Sequence, residues 1–278
     1  MTGMSIAIGL GIGMGSGRGG SAPSYDATAT ALFARMSIQP SAGRKTLIND
    51  RIVAGKLKSF WAKLDALWVH AAHDAQAGRL NWLNSSYDCV PINNPSFTVD
   101  RGYMGDGSSS YLDTGLNPLT ALLPKYTQNS GSIGIRSNTE NVGTGSLAGF
   151  YDTVLQRGTT INPRIDNTNS VASFRLNAGS TGANSPNGAV PSSVGMFVAS
   201  RTSSAGLSGY RNGIALVVGT TQPSTIPANG NMRLGSINAT SFRACQFSMG
   251  FIAGGLTDQE AQDIFDWFEV YRSAIGVS

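Results

Sequence analysis

The sequence predicts a mainly β protein: an antiparallel jelly-roll sandwich with an N-terminal helical segment and a C-terminal helix. Short alternating apolar and polar runs recur from Ser132 onward, and Gly, Asn, Pro and Ser separate them. Composition agrees, since 35 glycines with 13% charged and 41% hydrophobic residues are typical of a turn-rich β protein. At 278 residues, the chain is long enough to bury a large core.

Residues 1–23 read as a glycine-rich arm. Leu10, Ile12 and Met14 alternate with glycine, so they would share one face of an extended strand that can dock on another chain. Residues 15–20 match the dinucleotide fingerprint formally, but no core strand precedes them and Pro23 follows where a helix should open. We therefore predict an assembly arm and no cofactor. Its predicted contacts are Ile6, Leu10, Ile12 and Met14.

Residues 24–65 form the next predicted unit, a helical attachment segment. The pattern predicts one helix over 27–36 and a second from about Ala42, capped by Ser41 and broken or kinked near Gly55. Both helices are amphipathic, so they must lie on the sandwich, on a neighbouring chain or on a second copy. As assembly contacts we predict Ile48, Ile52 and Phe60. A strand from Ala66 then opens the sandwich domain, 66–278.

Two tight turns mark the sandwich. The first lies in 101–115, where Gly and Asp residues at 105–109 separate the runs 96–99 and 111–114, which predicts a β-hairpin. The second is Asn212-Gly213, a type I′ signal between two alternating runs. The predicted strands are 132–135, 147–151, 164–165, 171–176, 195–200, 207–210, 214–218, 232–237 and 247–252.

The C-terminal helix has a clear start. Thr257 and Glu260 form a capping-box pattern, and the dipole of the helix favours the acids of its first turns. An apolar face at helical spacing follows, which belongs to the core. Its members are Ala261, Ile264, Phe265, Phe268 and Tyr271.

Charge is unevenly distributed along the chain. Residues 153–257 contain a single acid, Asp166, and no lysine. They contain seven arginines: Arg157, Arg164, Arg175, Arg201, Arg211, Arg233 and Arg243. Two interpretations stay open: arginine stems that cover the surface, or a basic face for an anionic partner such as an acidic glycan or subunit. We predict no nucleic-acid partner, because the arginines are dispersed and no lysine cluster accompanies them.

Residues with catalytic or metal-binding chemistry are few. His70 and His73 are the only histidines, and no third potential ligand follows at the spacing of a zinc site. We therefore interpret them as packing and turn-stabilising residues. Cys89 and Cys245 are interpreted as buried free thiols. The acids nearest the first strands are Asp100, Asp106, Asp113, Glu140 and Asp152. No pair of them has a spacing that forces proximity. We predict no catalytic, cofactor or metal site, and a protein that is not an enzyme.

Several segments resemble known proteins. Residues 106–112 and 210–213, with the Leu256-Thr257-Asp258 start of the last helix, resemble the concanavalin A-like, laminin-G-like jelly rolls. The glycine-rich opening and residues 34–36, 63–67, 71–77, 80–82 and 101–103 are similar to structural or tail-fibre-like proteins of tailed bacteriophages and prophages. The resemblance covers residues 5–276 and implies a virion component. No motif in it assigns a glycan-binding or calcium-binding residue.

The resemblance implies a virion protein that displays its jelly roll for adhesion to host-surface glycans. The alternatives are a capsid decoration protein without a host ligand and a glycan-degrading virion enzyme. The expected partners are other virion proteins and further copies of the chain, with a trimer favoured. The opening lacks a basic stretch and its apolar part is broken by glycine, which predicts neither a secretory signal nor a membrane span. We expect assembly in the host bacterial cytoplasm.

Overall fold

The computed structural model describes residues 24–122, 125–168, 170–179 and 186–277. The predicted arm, with Ile6, Leu10, Ile12 and Met14, lies outside these residues. The described residues form fifteen β-strands and four α-helices, with a short 3-10 turn at Ala77–Arg79. None of their helices has both the length and the hydropathy needed to cross a bilayer.

The strands form two antiparallel sheets, as the sequence predicts. Sheet A contains β1 (Leu64–Val69), β3 (Ser96–Thr98), β4 (Gly102–Met104), β6 (Gly131–Ser137), β11 (Gly195–Arg201), β12 (Gly206–Arg211), β13 (Ile214–Thr221) and β15 (Gln246–Ala253). Its order is β13-β12-β11-β6-β15-β4-β3, and β1 pairs with β15 beside β4.

Sheet B lies against one face of sheet A. It contains β2 (Val90–Ile92), β5 (Tyr111–Asp113), β7 (Ala148–Asp152), β8 (Arg157–Asn162), β9 (Val171–Gly179), β10 (Asn187–Ala189) and β14 (Arg233–Leu234), in the order β10-β9-β8-β7-β14-β5-β2. Alternate residues point into the space between the sheets, so Leu112, Ile161 and Phe174 meet Ile133 and Phe197 of sheet A in one buried cluster.

The four helices cover the other face of sheet A. They are α1 (Ala27–Arg35), α2 (Ala42–Lys56), α3 (Ser59–Lys63) and α4 (Asp258–Ala274). Their buried residues pack with Leu67, Met249 and Phe251 of sheet A in a second cluster. The described residues thus form three layers in the order helices, sheet A, sheet B. The predicted N-terminal and C-terminal helices are confirmed, and Leu64 rather than Ala66 begins β1.

Local signals explain where the helices begin. The Ser41 hydroxyl accepts a hydrogen bond from the Arg44 amide, and α2 starts there. Thr257 and Glu260 cap each other at the start of α4, as predicted. Lys63 donates to the same Glu260 carboxylate at 2.5 Å and so ties the end of α3 to α4. Helix α2 continues through the buried Gly55 to Lys56, so the break falls two residues later than expected.

The hairpin predicted across 105–109 is wrong. Strand β4 belongs to sheet A and β5 to sheet B, so this segment crosses between the sheets. The hairpin instead joins β3 to β4 through Asp100, which has a φ of 61°. The Asp106 carboxylate orders the crossing by accepting the amides of Ser108, Ser109 and Ser110 at 2.7–2.9 Å. A turn signal shows that the chain changes direction, but it does not show whether the flanking runs pair.

The later strands largely follow the prediction. The Asn212-Gly213 hairpin is confirmed, because both residues have positive φ and β12 pairs directly with β13. A strand at 164–165 is wrong, since β8 ends at Asn162. Strands β8 and β10 were missed because they are rich in Gly, Thr and Asn rather than apolar side chains.

Candidate functional site

The outer face of sheet B is the candidate site. Leu112, Phe174 and Leu234 point into the core, so the residues that alternate with them point away from it. The buried apolar residues of the four described helices all pack on sheet A, so none of these helices covers this face. The face is defined here by Tyr111, Tyr151, Thr160, Arg175 and Arg233.

Register places the key side chains in one row. Arg233 of β14 pairs with Gly149 of β7, and Gly149 pairs with Thr160 of β8. Thr160 then pairs with Arg175 of β9. Three strand spacings separate the two arginine backbones, or roughly 14 Å. Gly149 has a φ of +123°, and a Cβ there would come within 1.9 Å of the Thr159 carbonyl oxygen. The row therefore has an arginine at each end and small residues between them.

Each arginine of the row lies over an aromatic ring. The Arg233 guanidinium carbon is 4.6 Å from the centre of the Tyr111 ring, and that of Arg175 is 5.0 Å from the Tyr151 ring. Phe242 extends the first pair, with its ring centre 6.2 Å from that of Tyr111. Stacking on an aromatic ring fixes the plane of a guanidinium. These contacts give the face two preorganised cationic ends.

A shallow cleft of about 290 Å³ lies along the second pair. Tyr151 and Ile237 provide apolar surface, and Thr160, Asn162 and Ser173 provide hydroxyl and amide groups beside Arg175. Partial burial lowers the pKa of the Arg175 guanidinium, and the nearby Tyr151 phenol opposes that effect. A small number of polar groups on an aromatic wall is the usual composition of a site for a small polar ligand.

The other arginines of 153–257 have different roles, so neither interpretation of the set holds for all of them. Arg201 and Arg243 are 1% and 2% exposed and donate to backbone carbonyls that include Leu176 and Gly143. Burial lowers the pKa of Arg243 to about 10. Arg164 pairs with Glu140 at 2.6 Å. The arginines of 153–257 thus include buried structural groups, an ion-paired group and the stacked pair on the outer face of sheet B.

The predicted carboxylates all hold local structure. Asp100 pairs with Arg44 at 2.7 Å, Asp113 accepts from Gly115 and Asn231, and Asp152 accepts from two amides of its own turn. Burial alone would raise the pKa of Glu140, but hydrogen bonds from Ser192 and Arg164 outweigh it and lower it to about 2. Three backbone N–H groups hold the pKa of Asp106 well below its usual range.

The histidines and cysteines lie away from this face. His70 is buried, its Nδ1 is 2.6 Å from the Gly78 carbonyl, and its ring meets Tyr103 and Phe247 edge-on, which confirms the packing interpretation. Burial lowers the pKa of His70 to about 4. Both cysteines are buried free thiols, as predicted. Within the described ranges, no three His, Cys, Asp or Glu side chains are placed to hold a metal ion.

The predicted assembly contacts of the helical segment do not face outward. Ile48, Ile52 and Phe60 are 2%, 0% and 0% exposed, because they pack inside this chain between the helices and sheet A. They have no free surface for a neighbour in this arrangement. Apolar surface on α2 and just beyond its end belongs instead to Val53 and Leu57. Attachment through 24–65 stays a prediction, as do the contacts of the arm.

Several solved structures have a similar fold. Domain 4 of AbnA, a GH43 extracellular arabinanase from Geobacillus stearothermophilus solved with arabinotriose, matches 73% of this chain and 98% of its own, with 17% identity and a TM-score of 0.50. Trypanosoma rangeli sialidase matches 83% of this chain with 10% identity and a TM-score of 0.54. A mutant of that sialidase with trans-sialidase activity matches 85%, with 14% identity and a TM-score of 0.52. The chain spans 40% of both sialidase chains. No family model and no curated protein matches it.

These similarities establish the fold and correct one prediction. The β-sandwich is shared with domains of glycan-active proteins, one of which was solved with an oligosaccharide. The prediction that the chain is not an enzyme is contradicted, because the similar structures belong to an arabinanase and to sialidases. That prediction rested on the scarcity of acids in 153–257 and on the lack of any acid pair whose spacing forces proximity. Spacing along the chain does not show which acids meet in the folded protein.

The sequence indicated the excess of arginine but not the candidate face. Tyr111 and Tyr151 have the pattern of ordinary strand aromatics. The available signal was their position, since both alternate with core residues and therefore face outward. Which arginine lies over which ring depends on strand order, which the sequence does not state.

Proposed function

We propose that this protein is a bacteriophage virion component that binds host-surface glycans through the outer face of sheet B. The observation that carries the proposal is the contrast between the two outer faces. Helices cover sheet A, whereas sheet B presents two arginine–tyrosine pairs and a row of small polar residues.

The chemistry of this face suits a sugar. A pyranose or furanose ring has an apolar C–H face and a rim of hydroxyl groups. Aromatic rings offer flat apolar contact, and hydroxyl, amide and guanidinium groups bind the rim. The cleft beside Tyr151 combines both kinds of group through Thr160, Asn162 and Arg175. The similarity to an arabinanase domain solved with arabinotriose supports an oligosaccharide as the ligand.

The virion role is supported by the sequence resemblance to phage structural proteins. In this proposal the arm at 1–23 joins the particle, and the helical segment places the sandwich outward. A shallow cleft gives weak binding by each copy, and many copies on one particle multiply it. Particles assembled with a chain that lacks residues 1–22 should not carry the sandwich. Normal incorporation of that truncated chain would contradict the assembly role.

The binding role is tested with the full chain on an oligosaccharide array, followed by calorimetry on each hit. Tyr151→Ala should weaken binding about tenfold, because it removes the apolar wall of the cleft. Val218→Ala is the matched control, since Val218 is an exposed strand residue on sheet A. If no oligosaccharide binds, the protein is better explained as a decoration protein without a host ligand.

Glycan cleavage is a second candidate, because the similar structures belong to glycan-active enzymes. Reducing ends released from each bound oligosaccharide measure it directly. Release that is lost in Asp113→Asn or Glu140→Gln, and retained in the control Asp152→Asn, would assign the activity to this chain.

A further inference from the structure

A second cleft, of about 390 Å³, lies where helices α1 and α3 meet the start of β1 and the loop 83–87 that precedes β2. Its size is that of a small-molecule site. None of its lining residues belongs to the outer face of sheet B or to the cleft beside Arg175. The lining includes one carboxylate, one amide, two hydroxyls and two aromatic rings: Asp65, Asn84, Thr28, Ser86, Trp61 and Tyr87.

The acidic residue of this cleft is held in place. Asp65 is 6% exposed, and its two oxygens accept the backbone amides of Lys125 and Tyr126 at 3.2 and 2.7 Å. A carboxylate has about four lone-pair positions, so these amides leave room for further donors. Burial raises the pKa of Asp65, and the two amides and the charge of Lys125 oppose that effect. Asp65 is thus a fixed acceptor whose charge is already partly offset within the chain.

A hydrogen-bond donor lies in the loop of the same cleft. The Asn84 Oδ1 accepts from the Asn81 side chain at 3.2 Å and from the Ser86 amide at 2.8 Å. These bonds fix the orientation of the Asn84 amide group. Among the described residues, neither the Asn84 Nδ2 group nor the Ser86 hydroxyl has a hydrogen-bond partner. Both are therefore available to a ligand.

The two aromatic residues of the cleft are held by the fold. Trp61 packs on Gly55, where a Cβ would come within 2.3 Å of its ring, and its ring centre is 6.0 Å from that of Trp267. Tyr87 has a φ of 63°, a left-handed conformation that is costly for a bulky side chain. Its carbonyl accepts from the Trp68 indole at 2.7 Å, which stabilises this conformation. Backbone strain of this kind concentrates at positions that hold ligands.

We propose that this cleft binds a neutral pyranose ring, at a site separate from the outer face of sheet B. The sugar hydroxyls donate to the Asp65 carboxylate and accept from Asn84 Nδ2. The rings of Trp61 and Tyr87 contact the apolar C–H face of the sugar. An anionic sugar is disfavoured, because the one charged group that lines the cleft is a carboxylate. A cationic ligand is not required, because Lys125 and two amides already act on Asp65.

The experiment titrates the ¹⁵N-labelled full chain with the methyl β-pyranosides of glucose, galactose and mannose, and follows the backbone amides by NMR. The amides of Lys125 and Tyr126 bind Asp65, and that of Ser86 binds Asn84, so all three should shift with one saturating curve. The Thr160 amide reports the outer face of sheet B independently.

Two variants test the roles of the side chains. Asn84→Asp keeps the acceptor oxygen and removes the Nδ2 donor, so it should weaken binding at least about tenfold. Asn229→Asp is the matched control, because Asn229 is exposed and its Oδ1 also accepts from an amide, that of Asn117. Tyr87→Gly removes the ring, and glycine readily adopts the same positive φ, so it should weaken binding while the loop keeps its shape.

Charge provides a second readout. The uronate form of the glycoside that binds best should bind at least about tenfold more weakly than the glycoside itself. Equal or tighter binding of the uronate would overturn the proposed selectivity. Unchanged binding in both Asn84→Asp and Tyr87→Gly, or no shift with any of the three glycosides, would overturn the cleft while leaving the test of sheet B on the oligosaccharide array intact. Shifts at the cleft without binding at sheet B would support the cleft and overturn the proposed role of sheet B.

Discussion

Sheet A and sheet B each give one face to the same core, but their other faces differ. The outer face of sheet A carries Leu67, Met249 and Phe251, and the helices bury them. The outer face of sheet B carries tyrosines, arginines and small polar residues, and the described helices leave it open. The comparison separates a buried face from one that the described helices leave uncovered. Aromatic residues on the first face are buried beneath the helices, whereas Tyr111 and Tyr151 on the second are partly exposed.

The largest expected difference in unfolding free energy is between variants of one aromatic residue from each face. Phe268→Ala should lower the free energy of unfolding by about 3–5 kcal/mol, because Phe268 is fully buried between α4 and sheet A. Tyr151→Ala should cost about 1 kcal/mol or less, since its ring is partly exposed. Urea unfolding of both variants checks this. Equal costs would contradict the division between the two faces.

Acid should destabilise the fold through the buried His70. The pKa of His70 is lowered from 6.5 to about 4 by burial, so the unfolded chain takes up a proton between these values that the folded chain does not. Stability is therefore complete above pH 6.5 and falls by about 3 kcal/mol as the pH approaches 4.

The variant His70→Gln isolates this effect. Its unfolding free energy should depend less steeply on pH between 6.5 and 4 than that of the wild type, whatever its absolute stability. His73→Gln is the control, because His73 is only half-buried. Identical pH slopes for the wild type and His70→Gln would refute the role of His70.

Two arginines test whether the stacked pair contributes to stability. Arg243→Gln should cost about 2–3 kcal/mol, because the carbonyls of Asn141, Gly143 and Gly145 lose a buried donor. Arg233→Gln should change stability by less than about 0.5 kcal/mol, since it loses only a stacking contact. Thermal and urea unfolding compare them. A large cost for Arg233→Gln would show that its role is structural.

The smallest expected effect on stability comes from the N-caps of two helices that cover sheet A. Thr257→Ala should cost about 1 kcal/mol by removing the N-cap of α4. Ser41→Ala should cost less, because the Ser41 oxygen lies 3.3 Å from the Arg44 amide and is exposed. If neither variant changes the unfolding midpoint, capping contributes nothing measurable to holding the helices on sheet A.

Local rules explain what sequence reasoning predicted well. Residues within a few positions of one another determine the starts of α2 at Ser41 and of α4 at Thr257. They also determine the Asn212-Gly213 turn and most of the strands. The crossing at 105–109 was mistaken for a hairpin because its Asp106 turn looks the same whether the next strand joins the same sheet or the other one. Ile48, Ile52 and Phe60 were predicted to contact neighbours because an amphipathic pattern shows that a face is covered without showing by what.

The sequence by itself determined the fold class, the helices at both ends and the excess of arginine over acid in 153–257. Periodicity, capping and turn propensity are short-range, so they can be read from neighbouring residues. Only the tertiary structure decided which arginines are buried, which lie on tyrosine and which face of the sandwich stays open. Those outcomes depend on strand order and register, because sheet pairing brings together residues that are far apart in the chain.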